Sequence, residues 1–407
     1  MIQVWTSEQG NNIQPSGVLD RLSQAQTTFA YTPNLQINSA VSLTMPVRVK
    51  SWEWTGGVAP IFEMNLPEGA LRQRLERNFA KATGRFDDLD LLAIVGRNQI
   101  GRMRYSGIGE TLDESVPFQS VDEILRARRS DGFFDYLMEQ FAQHSGVAGA
   151  QPKVLIRDHQ KLSAGKSRQS SSIIAATHIV KMWDVTEFPQ LAANEYFCLT
   201  AASRLGFTVP PFSLSDSGDA LIVERFDVSA DGSLGFEDFC VLNGRNTRRK
   251  YDGSVETSLF KRLSEFSDPQ QGIADAKTLF ALVVLNCAIG NGDAHLKNFG
   301  VLYDAIDAPV RLAPIFDLVT TTVYLPNDQM ALTLDGTTRW PTRKRLMHLG
   351  RTRAALTSPD VTNLFEETIC VLMDLRPEVT AWFAASPNPE VGTAMIARWE
   401  AWAREID

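Results

Sequence analysis

The run from Ile273 to Ile289 constrains this chain more than any other segment. It is apolar on nearly every side, which predicts a helix buried all round at the centre of a helical core. The polar stretch Asn291-Gly-Asp-Ala-His-Leu-Lys-Asn298 follows at once, and Phe299-Gly-Val-Leu-Tyr303 then has the pattern of a strand. A loop fixed between a buried helix and a strand is a rigid mount for side chains that do chemistry.

Upstream the pattern is mostly extended. Residues 1 to about 48 read as short strands, with Thr28–Tyr31 and Ala40–Met45 alternating apolar and polar. Leu71, Leu75 and Phe79 at spacing four predict a helix over Ala70–Thr83, and Asp87–Val95 a second one stopped by Gly96. The polar, acidic residues 106–140 connect units, with helices over Val121–Arg128 and Asp131–Gln143. Strands are predicted at Lys153–Arg157, Ala175–Met182 and Ala220–Phe226, a helix at Gln190–Leu205, and a serine- and lysine-bearing loop at Lys161–Ser172. Beyond about residue 255 the chain turns helical, with Val361–Leu375 and Pro389–Glu405 in addition to the central run. This is an α+β, two-lobe plan. It divides into 1–140, 141–255 with a nucleotide-binding character, and a helical lobe over 256–407. At 407 residues the chain is too long for one compact core.

Charge and cysteine usage exclude some functions. A net charge of −8 disfavours contact with bare nucleic acid. Cys198, Cys240, Cys287 and Cys370 lie outside any CxxC pair and in apolar surroundings, so buried free thiols are expected rather than a zinc site. The first residues lack the blocks of a signal peptide, and the run near Leu279–Ile289 has the length of a buried helix. A cytoplasmic protein without membrane contact is expected.

Phosphoryl transfer needs a cation on the phosphates, oxygens on Mg²⁺, a base for the acceptor hydroxyl and a loop over the nucleotide. The chain offers each in order. Asp293 can serve as the base, Asn298 can give an amide oxygen to Mg²⁺, and His295 can contact a phosphate or brace the loop; the competing reading is a capped Asp/Asn turn. Asp317, in Leu312-Ala-Pro-Ile-Phe-Asp317 after the strand pair Phe299–Tyr303 and Val310–Leu312, can be a second carboxylate for metal; the competing reading is a polar residue that ends a strand. Lys181 closes a strand, and Glu195 sits in the following helix, the pairing that holds a lysine against ATP phosphates. His178 on that strand reads as a packed core histidine. Val223-Glu-Arg-Phe-Asp227 can read an adenine edge with its backbone and a ribose with Asp227; the rival is a plain strand end with a Glu–Arg salt bridge. Ser145-Gly-Val-Ala-Gly-Ala-Gln-Pro-Lys153 has small residues, Ala148 and Gly149, that let N–H groups approach phosphates, although it is not a Walker A sequence.

Together these segments resemble the HipA family, the kinase toxins of bacterial toxin–antitoxin modules. Ala40–Pro46, Asn65-Leu-Pro67, Leu91–Arg97 and Glu237-Asp-Phe-Cys240 add to the resemblance. It implies a two-lobed, protein-kinase-like fold and an ATP- and Mg²⁺-dependent serine/threonine kinase. Asp293 would be the base, and Asn298 and Asp317 the metal ligands. Lys181 would bind phosphates with Glu195. Ala148, Gly149, Lys153, Glu224, Phe226, Asp227 and His295 would complete the nucleotide site. It also implies a protein substrate such as an aminoacyl-tRNA synthetase, growth arrest or persistence as the outcome, and a HipB-like helix-turn-helix antitoxin through which alone DNA would be reached. Many members carry a regulatory serine where this chain has Gly146, so Ser145 becomes the candidate autophosphorylation residue. Two alternatives are a lipid or small-molecule kinase, since the D-x-H-x-x-N order is also similar to that of phosphatidylinositol kinases, and a non-catalytic module that works by holding its antitoxin.

Overall fold

A computed structural model describes the chain apart from residues 9–11, 24, 84–85, 129–131, 150, 159–174, 184–186, 230–231 and 407; the expected loop Lys161–Ser172 lies outside the described residues. The chain forms two compact units. The first comprises Met1–Met182, Pro211–Thr247 and Leu302–Pro309, and the second Trp183–Pro210, Arg248–Val301 and Val310–Asp407.

In the first unit, β1 (Ile2–Glu8), β2 (Asn12–Arg21), β3 (Gln26–Tyr31), β4 (Trp52–Thr55) and β5 (Met103–Gly107) form an antiparallel sheet ordered β4-β3-β2-β1-β5. β1 buries Ile2, Val4 and Thr6 and leaves Gln3 and Trp5 partly exposed, the alternation of a strand with one covered face. α1 (Gly69–Thr83) buries Leu71 and Leu75, and α2 (Asp88–Val95) opens on a capping box between Asp87 and Asp90. The helices α3 (Val121–Arg126) and α4 (Phe133–Phe141) precede a second antiparallel sheet. Its strands β6 (Lys153–Ile156), β7 (His178–Met182), β8 (Phe212–Leu214) and β9 (Ala220–Glu224) run in the order β6-β7-β9-β8.

Ala40–Met45 is not the expected strand. Ser42–Met45 forms a turn, gripped by Glu237 of β10 (Gly235–Asp238). The Ser42 hydroxyl and Leu43 N–H each donate to the Glu237 carboxyl at 2.8 Å, and the Tyr303 hydroxyl donates at 2.7 Å. The alternation was real, but a buried carboxyl takes up the polar groups that a neighbouring strand would have used. Burial pushes that carboxyl up to about 7.

The second unit is mainly helical. α5 (Leu191–Arg204) is followed by α6 (Pro269–Ile289), which contains the apolar run. Asp268 caps its start, accepting from the Gln270 and Gln271 N–H groups, and Gly290 ends it at φ 70°. By length and composition α6 would suffice to cross a membrane, yet Leu279, Phe280 and residues 282–289 are buried within protein. β11 (Gly300–Tyr303) leaves the loop after α6 and pairs with β12 (Arg311–Leu312). α7 (Arg343–Arg353), α8 (Ser358–Ala384) and α9 (Pro389–Ile406) pack on α6.

α8 runs beyond the expected stop at Leu375, straight through Pro377. Its buried stripe of Val361, Phe365, Leu372 and Leu375 continues into Val379 and Phe383, so packing outweighs the proline. Cys370 corrects another expectation. It falls off this stripe and is exposed, whereas Cys198, Cys240 and Cys287 are buried thiols outside any disulfide.

Candidate active site

The buried helix itself carries the polar loop. Asn286, in the last turn of α6, donates to Leu282 O and accepts from Asn291 Nδ2 at 2.7 Å; Asn291 Oδ1 in turn accepts the Asp293 N–H at 3.2 Å. A second grip comes from Thr321, whose hydroxyl accepts the Gly292 N–H at 2.7 Å and also meets Gly290 O and the Asp328 carboxylate. A Cβ on Gly292 would lie 2.1 Å from Asp328 Oδ2, so no side chain fits there. Thr321, Asp328 and Tyr251 have no local motif that marks them. Asn286 had a signal, as an amide inside an otherwise apolar run.

Asp293, Asn298 and Asp317 come together in this unit. The Asp293 Oδ1 accepts from the Tyr251 hydroxyl at 2.7 Å. Asp293 keeps accessible surface, yet the protein crowding its carboxyl raises its pKa; the Tyr251 hydrogen bond lowers it, the Asp317 charge raises it and Lys250 lowers it. Asn298 Nδ2 donates to Asp293 O at 3.2 Å and lies 3.5 Å from Asp317 O. That turns Asn298 Oδ1 away, buried and with no hydrogen-bond partner among the described residues. Asp317 stands at φ 62°, a left-handed conformation that side chains rarely adopt and that costs about 1 kcal/mol or more. An orphaned amide oxygen beside this aspartate is a donor set that fits Mg²⁺, which takes one or two protein oxygens and completes its shell with water and phosphate oxygens.

His295 is buried, and its pKa is pulled down to about 3, first by burial and then by the Lys250 charge. A neutral imidazole offers no charge to a phosphate. Its ring meets that of Tyr251 edge-on at 5.2 Å, which favours the bracing role over the catalytic one.

In the first unit, register does the work. Lys153 of β6 stands directly opposite Lys181 of β7, so both side chains leave the same face, and each is only 6% exposed. Two lysine side chains leaving one face into a nearly closed place fit an anion such as a polyphosphate. The Gly149 backbone, at φ 117°, lies against Lys153; a Cβ there would sit 2.2 Å from Lys153 Nζ. Ala148 precedes it in the same approach to β6. Glu195 is buried in α5 of the second unit.

Three expectations change. Glu224 pairs in register with His178, and alternation puts both on the face opposite to Lys153 and Lys181. Its side chain therefore does not join the lysines, and the N–H groups of Glu224 and Arg225 are already donated to Pro211 O and Thr177 O. Asp227 is not a ribose acceptor. Arg225 Nε and an Arg225 terminal nitrogen reach its two oxygens at 3.0 and 2.6 Å, and the Gly101 N–H donates to one of them at 2.6 Å, all fully buried. The buried pair is thus Arg225–Asp227 rather than Glu224–Arg225. Ser145 is 0% exposed, donating to Phe141 O at 2.6 Å and accepting the Leu155 N–H at 2.8 Å. A hydroxyl used on both sides as a latch between α4 and β6 is poorly placed to accept a phosphoryl group. At Gly146 a Cβ would come within 2.6 Å of Asn98 O and 2.5 Å of Gln99 Cγ, so the departure from serine there matches the space. Phe226 packs edge-on against Phe236 at 5.6 Å, and His178 is a core histidine as expected, hydrogen-bonded to Thr177.

The fold is of the α+β, protein-kinase-like class. It is similar to the solved Shewanella oneidensis MR-1 toxin–antitoxin complex of HipA, HipB and operator DNA, with a TM-score of 0.66 at 18% identity, over 100% of this chain and 98% of that one. The model of the HipA-like C-terminal domain matches residues 145–374, and that of the HipA N-terminal domain residues 3–106; the chain belongs to the HipA family. Among its relatives are two proteins of Sinorhizobium fredii strain NGR234, both named as candidate kinases. Y4dM is 25% identical over 382 residues, 88% of this chain and 87% of its own length. Y4mE is 34% identical over 283 residues, 65% of this chain and 64% of its own.

Proposed function

We propose that this chain is an ATP- and Mg²⁺-dependent serine/threonine protein kinase that acts as the toxin of a toxin–antitoxin pair in the cytoplasm. The observation that carries the reading is the grouping of Asp293 with Asn298 and Asp317, with the buried, orphaned Asn298 amide oxygen among them. Bound Mg²⁺–ATP supplies the phosphoryl group and the charge that neutralises it in transit. Asp293 accepts the proton of a serine or threonine hydroxyl as that oxygen attacks the γ-phosphorus and the bond to the β,γ-bridging oxygen breaks. Asn298 and Asp317 are the residues that would hold the metal. Lys153 and Lys181 would offset the phosphate charge, and the backbone at Gly149 would approach the phosphates. The protein substrate class is a translation component such as an aminoacyl-tRNA synthetase, as the family resemblance implies.

A HipB-like antitoxin as partner is supported by the similarity to a structure in which HipA is bound to HipB and operator DNA. The net charge of −8 favours operator contact through that partner. The test is phosphoproteomics of cells expressing wild type or Asp293→Asn, beside ATP turnover of the purified chains. Loss of the base should lower turnover roughly a thousandfold and abolish new phosphosites. A change of twofold or less would end the assignment.

A further inference from the structure

We infer that Tyr251 is a positioning residue for the catalytic carboxylate, holding Asp293 turned toward the acceptor hydroxyl. The inference rests on the reading of Asp293 as the base. Three contacts tie residues 250 and 251 to the loop. The Tyr251 hydroxyl donates to Asp293 Oδ1 at 2.7 Å, the Tyr251 ring meets His295 edge-on at 5.2 Å, and Lys250 O accepts the Leu296 N–H at 3.0 Å. A side chain fixed at its ring, its hydroxyl and its neighbouring backbone is built into the loop, even though 48% of it remains exposed.

The geometry assigns a specific task. A carboxylate on a single Cβ–Cγ bond rotates freely unless something holds one oxygen. A phenol held on Oδ1 fixes that rotation and leaves Oδ2 for the acceptor. A hydrogen bond into a carboxylate is charge-assisted, about twice as strong as a neutral one, and it favours the ionised form.

The experiment follows Mg²⁺–ATP turnover, with myelin basic protein as a generic acceptor, for wild type, Tyr251→Phe, Asp293→Asn and the double variant. Tyr251→Phe keeps the ring against His295, so its thermal midpoint should match wild type. Its kcat should fall about tenfold with little change in the KM for ATP. On the Asp293→Asn background the same substitution should have no further effect, because Tyr251 acts through Asp293. An unchanged kcat, a loss seen in the KM for ATP instead of in kcat, or a rate that rises because the phenol had been blocking the acceptor place would overturn the inference. Turnover by Asp293→Asn like that of wild type would instead remove the base reading on which it stands.

Discussion

The lysine pair of the first unit and the carboxylate loop of the second are held by different physics. Lys153 and Lys181 are placed by the register of two strands, with every backbone bond of the ladder sharing the task. Asp293 is placed by single side-chain bonds from Asn291 and Tyr251, with Asn286 and Thr321 fixing the residues before it, and the Asn298 amide donates in turn to Asp293 O. A sheet spreads the cost of a lost group over many neighbours. A loop concentrates it in one hydrogen bond. The sheet should therefore lose stability when its buried polar anchors go and lose binding when its lysines go, whereas the loop should lose rate with its fold intact.

The largest effect should come from Asp227→Ala. It leaves the Arg225 guanidinium buried without its carboxylate, and breaking such a pair costs about 3–5 kcal/mol. Denaturant unfolding of the variant should show a loss on this scale. A loss below about 1 kcal/mol would mean that this end of β9 is not an anchor. Lys181→Met is the complementary change, since its stem still packs on the sheet while the charge is gone. ATP affinity by calorimetry should fall roughly a hundredfold, with the thermal midpoint nearly unmoved. Equal affinity would separate the lysine pair from the nucleotide.

The same contrast decides what the sequence disclosed. The α6 helix was legible because an unbroken apolar run leaves few alternatives, and β6, β7 and β9 because short apolar runs lie between clear breaks. The grouping of Asp293, Asn298 and Asp317 was legible through local spacing, two of them being in one loop and the third after a strand pair. Faces and partners were not. Glu224 and Lys181 looked like members of one pocket until the register of β7 and β9 put their side chains on opposite faces. Asp227 looked like a free acceptor because nothing near it in sequence announces Gly101. Ser145 looked available because its partners Phe141 and Leu155 matter only once α4 and β6 pack. Each error concerns how one element pairs or packs with another, which no periodicity encodes.

The smallest effect sharpens the loop side of the comparison. Thr321→Val keeps the shape of the side chain but removes the hydroxyl that accepts the Gly292 N–H and meets Asp328. One lost hydrogen bond is worth about 1 kcal/mol, which as a change in barrier is about fivefold to tenfold in kcat. The expected result is a fall of that size in turnover, with ATP affinity unchanged and a small shift in thermal midpoint. A fall in stability without a fall in rate would show that Thr321 supports the unit generally and not the placement of Asp293. The companion change Asp328→Asn separates two contributions. Asp328 raises the Asp293 pKa through its charge and the Tyr251 hydrogen bond lowers it, so Asp328→Asn should move the acid limb of kcat to lower pH and Tyr251→Phe should move it to higher pH. Opposite shifts from two residues on the same carboxylate would locate the titrating group at Asp293 itself.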